Sequence, residues 1–467
     1  MTDSLRQAPW GAAAARIMAA GIQAVEPGRA VRESMQLNGD ILIVGSHDID
    51  LSKIKRVFII GAGKAGYPMA QSAREIIGPR LDKAHVIVKE GHISKRVKAI
   101  SEGGPRPGTA SAPGPGTINF YEAGHPIPDE RGVTATRQVI GLLSLTRPDD
   151  LVIGLISGGG SALLTSPVPN VSLKDLQVLT TKLLGCGATI NEINSLRKHL
   201  DQVKGGGLAR AAAPASIVTL ILSDVVGDPQ DVIASGPAVP DTSTYADAYS
   251  VLDKYNMVEQ TPSSIINHLK AGKAAQIPET PKPGDEIFDK VHNVIIGSNI
   301  QACQAAVRQA HQEAFNALLL TTWMQGEARQ AGPFLAAILR QVNTSDQPTA
   351  RPACIIAGGE TIVTLRGSGK GGRNQELALS AVRDLSGLEN SGLIALASDG
   401  GDGPTDAAGA VVTQDTLSRA LAAGMDPINF LNRNDAYHFF EPLGDLLKPG
   451  PTHTNVNDIT FLFAGAK

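Results

Sequence analysis

The chain has 467 residues, of which 42% are hydrophobic and 19% charged, and its formal net charge is −3. This composition is globular and excludes a disordered chain, and the length predicts two domains or three. The weakly acidic charge argues against nucleic acid as a partner. Three scattered cysteines without a Cys-x-x-Cys pair indicate a reducing compartment.

The sequence gives no sign of a membrane partner or of a secretory leader. No apolar run reaches the length of a membrane-spanning helix, and the first residues are polar with no apolar core behind them. We therefore expect a soluble protein of the cytoplasm that acts on a small molecule.

Apolar strands alternate with helices through the first half of the chain, which is typical of an α/β fold. A strand at 57–60 runs into a glycine-rich turn, and a helix and a strand at 84–88 complete a βαβ unit. Further strands are predicted at 151–156 and 217–222. The Pro- and Gly-rich segment 101–116 predicts an exposed loop.

A second strand–helix series follows a change of composition. Residues 241–290 are partly helical and then rich in Pro and Lys, which predicts a connecting segment. Later strands are expected, among them 353–357, 361–365 and 459–463. The predicted architecture is a Rossmann-like domain with a mostly parallel sheet (1–240), a connection (241–290) and a smaller α/β domain with a mixed sheet (291–467).

The most prominent segment is the buried strand 151–156 and the loop Ser157-Gly158-Gly159-Gly160-Ser161. Ligands of open α/β sheets bind at the carboxyl ends of strands, where Gly-rich loops present free N–H groups. The loop is therefore a candidate anion site with a hydroxyl at each edge. A tight connection without any ligand is the alternative.

The turn Gly61-x-Gly63-Lys64-x-Gly66 matches a dinucleotide fingerprint, although it has a cation inside the turn and no clear acidic residue after the next strand. Lys64 is a candidate point charge for a phosphate. A solvated lysine on a packing turn is the alternative.

Aspartates cluster after two predicted strands, as Asp224, Asp228 and Asp231 and as Asp399, Asp402 and Asp406. Carboxylates in such positions hold Mg²⁺ or accept a hydroxyl proton. Turn formation and helix capping are the alternatives, and we assign Asp231 to capping.

Other charged residues also stand beside glycines. Glu360 follows Gly358 and Gly359, and Arg373 follows Gly371 and Gly372 at the start of a helix, where its guanidinium suits a phosphate or a carboxylate. Arg197 and Lys198 lie near the end of another helix, where pairing with the helix dipole is the alternative. His125 is interpreted as a loop hydrogen-bonder rather than an acid or base.

Five stretches of the chain are long and specific: 156–164 (ISGGGSALL), 222–229 (LSDVVGDP), 234–237 (ASGP), 370–379 (KGGRNQELAL) and 398–409 (SDGGDGPTDAAG). They resemble class II glycerate kinases, the MOFRL family, and the resemblance covers nearly the whole chain. It implies two α/β domains facing a cleft and ATP-dependent phosphorylation of D-glycerate at the 2-hydroxyl, with Mg²⁺.

The resemblance also implies that Lys64 and Arg373 are key residues, and 192–200 (EINSLRKHL) matches as well. His453 stands where we expect glycine. We predict Lys64, Arg373 and Asp224 as catalytic residues. Predicted substrate or phosphate contacts are Ser157, Gly158, Gly159, Gly160, Ser161, Arg197, Lys198, Glu360 and Asn374. Predicted metal ligands are Asp224, Asp228, Asp399 and Asp402.

Two other functions stay open at this point. The Gly61 turn keeps an NAD(P)H-dependent hydroxypyruvate reductase as the alternative enzyme, and a sugar-acid binding protein is the non-catalytic alternative. The residues alone do not decide between 2- and 3-phosphorylation, and a homodimer is open.

Overall fold

The computed structural model describes residues 1–93 and 116–466, so the predicted loop 101–116 lies outside the described residues except for Gly116. The chain forms two compact units. The first, here called the parallel-sheet unit, comprises residues 27–223 and 228–296. The second, the mixed-sheet unit, comprises residues 1–26, 224–227 and 297–467.

A six-stranded sheet is the framework of the parallel-sheet unit, in the order β6-β5-β4-β7-β8-β9. Its strands are β4 (Arg56–Ala62), β5 (Leu81–Lys89), β6 (Thr117–Ala123), β7 (Asp150–Ile156), β8 (Ser216–Leu222) and β9 (Val291–Gly297). The ladders β4–β5, β4–β7, β5–β6 and β7–β8 are parallel. This is the Rossmann order, in which the strand sequence reverses between β4 and β7 and ligands bind at that switch point.

Helices cover this sheet because their apolar faces match its buried strands. They are α3 (Pro27–Ser34), α4 (Gly66–Ile77), α5 (Glu130–Leu143), the short α6 (Gly160–Leu163), α7 (Leu173–Gly185), α8 (Ile190–His199), α9 (Gly207–Ala212), α10 (Tyr245–Lys254) and α11 (Ser263–Lys273). One core packs Phe58, Val152 and Leu163 together. A small antiparallel sheet of β1 (Met35–Asn38), β2 (Ile41–Val44) and β3 (His47–Asp50) follows α3.

The segment 241–290 is part of this unit, which differs from the predicted connection. Leu252 of α10 and Ile265 and Leu269 of α11 are buried in one core with Leu196 of α8. The strand at 291–297 likewise closes the parallel sheet rather than opening the second unit. Local composition does not reveal this because the contacts are between residues far apart in sequence.

The mixed-sheet unit contains the second sheet, in the order β10-β11-β15-β12-β13-β14. Its strands are β10 (Asn316–Met324), β11 (Ala353–Gly359), β12 (Ser391–Ala397), β13 (Gly409–Thr413), β14 (Leu446–Leu447) and β15 (Asp458–Ala464). Only the β10–β11 ladder is parallel, and the others are antiparallel. The last strand of the chain lies at the centre of the sheet, fully buried. The predicted α/β class with one mostly parallel and one mixed sheet is confirmed.

Residues 1–26 also belong to the mixed-sheet unit, contrary to the predicted N-terminal domain. The ring of Trp10 stacks on Phe463 of β15 at 4.9 Å between centroids. The helices of this unit are α1 (Asp3–Gln7), α2 (Gly11–Ala24), α12 (Asn299–Gln312), α13 (Ala328–Ser345), α14 (Arg373–Leu385), α15 (Thr416–Ala422), α16 (Pro427–Asn432) and α17 (Ala436–Phe440).

Two smaller observations complete the fold. The predicted strand 361–365 is wrong, since only an isolated bridge between Glu327 and Ile362 forms there. Within the part of the chain that the structure describes, none of the helices is both long and apolar enough to cross a membrane.

Candidate active site

The loop 157–161 lies at the switch point of the parallel sheet, after the fully buried β7. Gly159 turns the backbone at a φ of 85°, where a side chain would be strained. In the described residues no hydrogen bond uses the N–H of Gly158 or Gly159. Unused N–H donors at the carboxyl end of a buried strand are what a bound anion requires.

The Gly61 turn packs directly against this loop. The N–H of Lys64 donates to the Gly158 carbonyl at 2.8 Å, and the N–H of Ala65 donates to the Ser157 hydroxyl at 3.1 Å. A Cβ on Gly63 would come within 2.0 Å of that hydroxyl oxygen. The glycines of this turn therefore admit the neighbouring loop, and the N–H groups of Lys64 and Ala65 are already satisfied.

A cluster of cations surrounds the loop. The side chain of Lys64 is half-buried and forms no ion pair within the described residues. The ring of His125 lies against Gly159, so that a Cβ there would stand 2.9 Å from its Cδ2. Burial, and then the charges of Lys64, Lys89 and His92, lower the pKa of His125 to about 4. The site therefore favours an anion, and His125 is neutral at physiological pH.

Helix α8 supplies a polar face to the same site. A capping box of Thr189 and Glu192 begins the helix. The buried Asn194 accepts a hydrogen bond from the Ser235 hydroxyl at 3.0 Å, and Ser235 lies 3.2 Å from the hydroxyl of Ser161. The amide nitrogen of Asn194 is buried without a partner, so one donor is left for a ligand.

The two predicted cations of α8 differ in their surroundings. Lys198 is buried with its Nζ 3.4 Å from Asp241 and 3.7 Å from Asp231. Arg197 forms neither a hydrogen bond nor an ion pair within the described ranges, and burial lowers its pKa even though Asp201 opposes that effect. An incompletely compensated guanidinium one turn from Asn194 is the stronger ligand candidate.

Arg373 in the mixed-sheet unit is held by two carboxylates. Its Nε lies 2.6 Å from Asp458 and its Nη1 lies 2.6 Å from Glu360. Burial raises the pKa of Asp458 to about 7, because it outweighs the attraction of Arg373. Three of the five guanidinium N–H groups are used in these contacts, so two remain for another ligand.

Asp402, predicted as a metal ligand, caps α14. Its oxygens accept the backbone N–H groups of Asn374 at 3.2 Å and Gln375 at 2.8 Å. The Asn374 amide also lies 3.4 Å from Asp402, and both side chains are buried. A structural role accounts for both residues, which the glycine-rich sequence around Asp402 did not indicate.

The remaining aspartates do not form a metal cluster. Over residues 1–93 and 116–466, no group of three or more His, Cys, Asp or Glu side chains is arranged to hold an ion. Asp399 accepts the N–H of Gly401 at 3.1 Å, and Asp224 lies 3.5 Å from the amide of Asn455. Asp228 adopts a φ of 55°. Asp231, assigned above to helix capping, instead lies near Lys198.

Several site residues were missed or undervalued in the sequence. His125 makes no hydrogen bond in the described residues, so its interpretation as a loop hydrogen-bonder is wrong. Asn194, Ser235 and Asp458 were not selected, although all three stand inside or beside matched stretches. His453 adopts a φ of 63°, which agrees with the expected glycine.

Comparisons with known proteins agree with this fold. A model described as a domain of unknown function, DUF4147, matches residues 13–270, and the MOFRL family model matches residues 353–458. These matches place the chain in the class of two-unit α/β proteins that combine both domains. The chain belongs to the family of class II glycerate kinases.

Two kinds of named relative are found. The D-glycerate 2-kinase of Thermotoga maritima is 43% identical over 96% of each chain. A crystal structure of glycerate kinase from that organism superposes with a TM-score of 0.82, at 42% identity, covering 97% of this chain and 98% of that one. A protein of Agrobacterium vitis, provisionally named a hydroxypyruvate reductase, is 40% identical over 88% of this chain and 87% of its own.

Proposed function

We propose that this chain phosphorylates D-glycerate at the 2-hydroxyl, using ATP and releasing 2-phosphoglycerate and ADP. The observation that carries the proposal is the similarity to a D-glycerate 2-kinase along 96% of both chains. The cationic site at the switch point supports it, because the acceptor is a small carboxylate and the donor is a polyphosphate.

Glycerate is assigned to the parallel-sheet unit. Arg197 binds the carboxylate, because its guanidinium has no ion pair in the described residues, and the amide of Asn194 and the hydroxyl of Ser161 bind the glycerate hydroxyls. The N–H groups of Gly158 and Gly159 hold a second anionic oxygen. Lys198 contributes charge to this site rather than a direct contact, because two aspartates flank it.

In the transfer step the 2-hydroxyl oxygen forms a bond to the γ-phosphorus while the bond from that phosphorus to ADP breaks. Such reactions depend mainly on positioning and on neutralising charge. Lys64 and the two unused N–H groups of Arg373 are proposed to stabilise the transferring group. Asp224 is proposed to orient the hydroxyl and to accept its proton.

Magnesium is proposed to enter as the MgATP complex. Protein-bound Mg²⁺ keeps several waters and takes one or two carboxylates beside the phosphates, so a cluster of three acidic residues is not needed. Of the four predicted ligands, Asp224 and Asp399 suit this role best. Asp402 is the least suited because both of its oxygens cap α14.

The reductase alternative is weakened by the packing of the Gly61 turn. A dinucleotide would need the N–H groups at the start of α4 for its pyrophosphate, yet Gly158 and Ser157 already accept those of Lys64 and Ala65. The free cysteines Cys186, Cys303 and Cys354 support a proposed cytoplasmic location. A homodimer is proposed as well, and light scattering of the purified protein tests it.

The position of phosphorylation is tested by the product. Incubation of the protein with D-glycerate and MgATP, followed by ³¹P NMR, is expected to show a phosphate coupled to the single proton of C2. Coupling to the two protons of C3 would instead identify 3-phosphoglycerate and would contradict the proposed position.

A further inference from the structure

An apolar groove of about 390 Å³ lies in the mixed-sheet unit, where β10 ends and α13 begins. Its walls carry the rings of Trp323 and Phe334, each 65% exposed, and the side chain of Leu320. Gln325 and Gln330 stand at its polar margin. Two large exposed aromatic residues on one groove indicate a binding surface, and no step described above uses them.

The groove adjoins the residues around Arg373. The N–H of Glu360 donates to the Met324 carbonyl in the groove wall at 2.8 Å, and Glu360 in turn pairs with Arg373 at 2.6 Å. A ligand in this groove would therefore have its apolar part beside Trp323 and could extend a charged part towards Arg373.

A second contact fixes Trp323 beside the aspartate loop. Gly227 has a φ of 80°, and a Cβ there would come within 2.1 Å of the Trp323 ring. Asp224, three residues earlier, lies beside Asn455. All of these residues belong to the same unit. The ring is thus held in place from one side by the backbone, while most of its surface remains exposed.

We propose that this groove binds the adenine base of ATP, an inference that rests on the proposed kinase function. Aromatic side chains stack on bases whatever their sequence, and glutamine amides supply the donor and acceptor that a purine edge needs. The volume suits a nucleoside. The adjacent guanidinium distinguishes a nucleotide, with an apolar and an anionic end, from a purely apolar partner.

Fluorescence gives a direct test, because the chain has two tryptophans and they differ in exposure. Trp10 is 4% exposed and stacked on Phe463, so a change of emission on ligand binding reports Trp323. Adenosine and MgADP are expected to quench the emission of the wild-type protein, whereas magnesium tripolyphosphate alone is not. Quenching that persists in Trp323→Phe would overturn the assignment.

Kinetics provide the second test. Trp323→Ala is expected to raise the KM for ATP roughly 5- to 100-fold, the range for loss of one stacked base, with little change in the KM for glycerate. Trp323→Phe should restore most of the affinity because it restores an aromatic face. Leu365→Ala, a change of another exposed apolar side chain in the same unit, is the control that should leave both constants unchanged.

The outcomes separate the two proposals. If ADP forms but Trp323→Ala keeps the wild-type KM for ATP, the groove does not bind the base and the kinase function stands. If Trp323→Ala changes the mass of the protein in light scattering and not the KM, the groove is a contact between copies and the inference is overturned. If no protein forms ADP, the kinase function itself fails.

Discussion

Lys64 stands at the end of a buried strand with no ion pair in the described residues and a half-exposed side chain. Such a lysine adds little to packing, so its charge is available for a ligand. We expect Lys64→Ala to lower kcat by roughly 100-fold or more, as for loss of one donor to a developing charge, while the melting temperature changes little.

The matched control is Lys174→Ala, which removes an exposed lysine from α7, away from the loop 157–161. Steady-state kinetics and thermal melting of both variants decide the matter. Wild-type turnover in Lys64→Ala would mean that this lysine is only a solvated residue on a packing turn.

His125 reports the same charge in a different way. Its pKa is held at about 4 by burial and by three neighbouring cations, the first of which is Lys64. Removing that charge in Lys64→Ala should raise the pKa of His125, which NMR titration of the imidazole would show. An unchanged pKa would place the ammonium of Lys64 away from the loop.

Linkage gives the sign of the effect of His125 on stability. Its folded-state pKa of about 4 lies below the usual value of 6.5, so the unfolded chain binds more protons between these two values. The contribution of His125 to stability is therefore fully present above about pH 6.5 and is lost as the pH falls towards 4.

At the scale of elements, α14 depends on a carboxylate that the sequence did not mark as a cap. Asp402 binds the first backbone N–H groups of the helix and is buried. We expect Asp402→Ala to lower the free energy of unfolding by about 1–2 kcal/mol, as for loss of an N-terminal cap, with no change in the Mg²⁺ concentration for half-maximal rate.

Asp224→Asn is the matched comparison for the metal. It keeps the size of the side chain but loses the charge, so it should raise the Mg²⁺ requirement and leave stability nearly unchanged. Urea unfolding and rate measured against Mg²⁺ for both variants test the division of roles. A raised Mg²⁺ requirement in Asp402→Ala alone would reverse it.

The start of β15 carries a pH-dependent ion pair. Asp458 has a pKa near 7 in the folded protein because burial outweighs Arg373, so the folded state binds more protons than the unfolded state between about pH 4 and pH 7. Relative to Asp458→Asn, the wild-type protein should lose stability as the pH rises through this window and change little above it. Unfolding curves at several pH values would show a rise instead if Asp458 were ionised throughout.

Elements with strong local signals could be predicted. The apolar strand and glycine loop at 151–161 and the βαβ unit around the Gly61 turn were expected and are present. The contact between the two loops was not expected, because it joins residues more than 90 positions apart. It changes the meaning of the Gly61 motif from a dinucleotide cradle to a packing surface.

At the scale of the whole molecule, the α/β class and the two sheets followed from the alternation of strands and helices, but the assignment of segments to units did not. Residues 1–26 pack on the second sheet through Trp10, and residues 241–273 complete a core around α8. Both depend on non-local packing, which periodicity does not encode. For the same reason, the partners of Arg373 and the exposed position of Trp323 appear only in the folded chain.

The kinase function is tested most directly by offering the purified protein both reactions. One sample contains D-glycerate, ATP and Mg²⁺, and the other contains hydroxypyruvate and NADH. We expect ADP and 2-phosphoglycerate in the first sample and no oxidation of NADH in the second. Oxidation of NADH without any release of ADP would contradict the account.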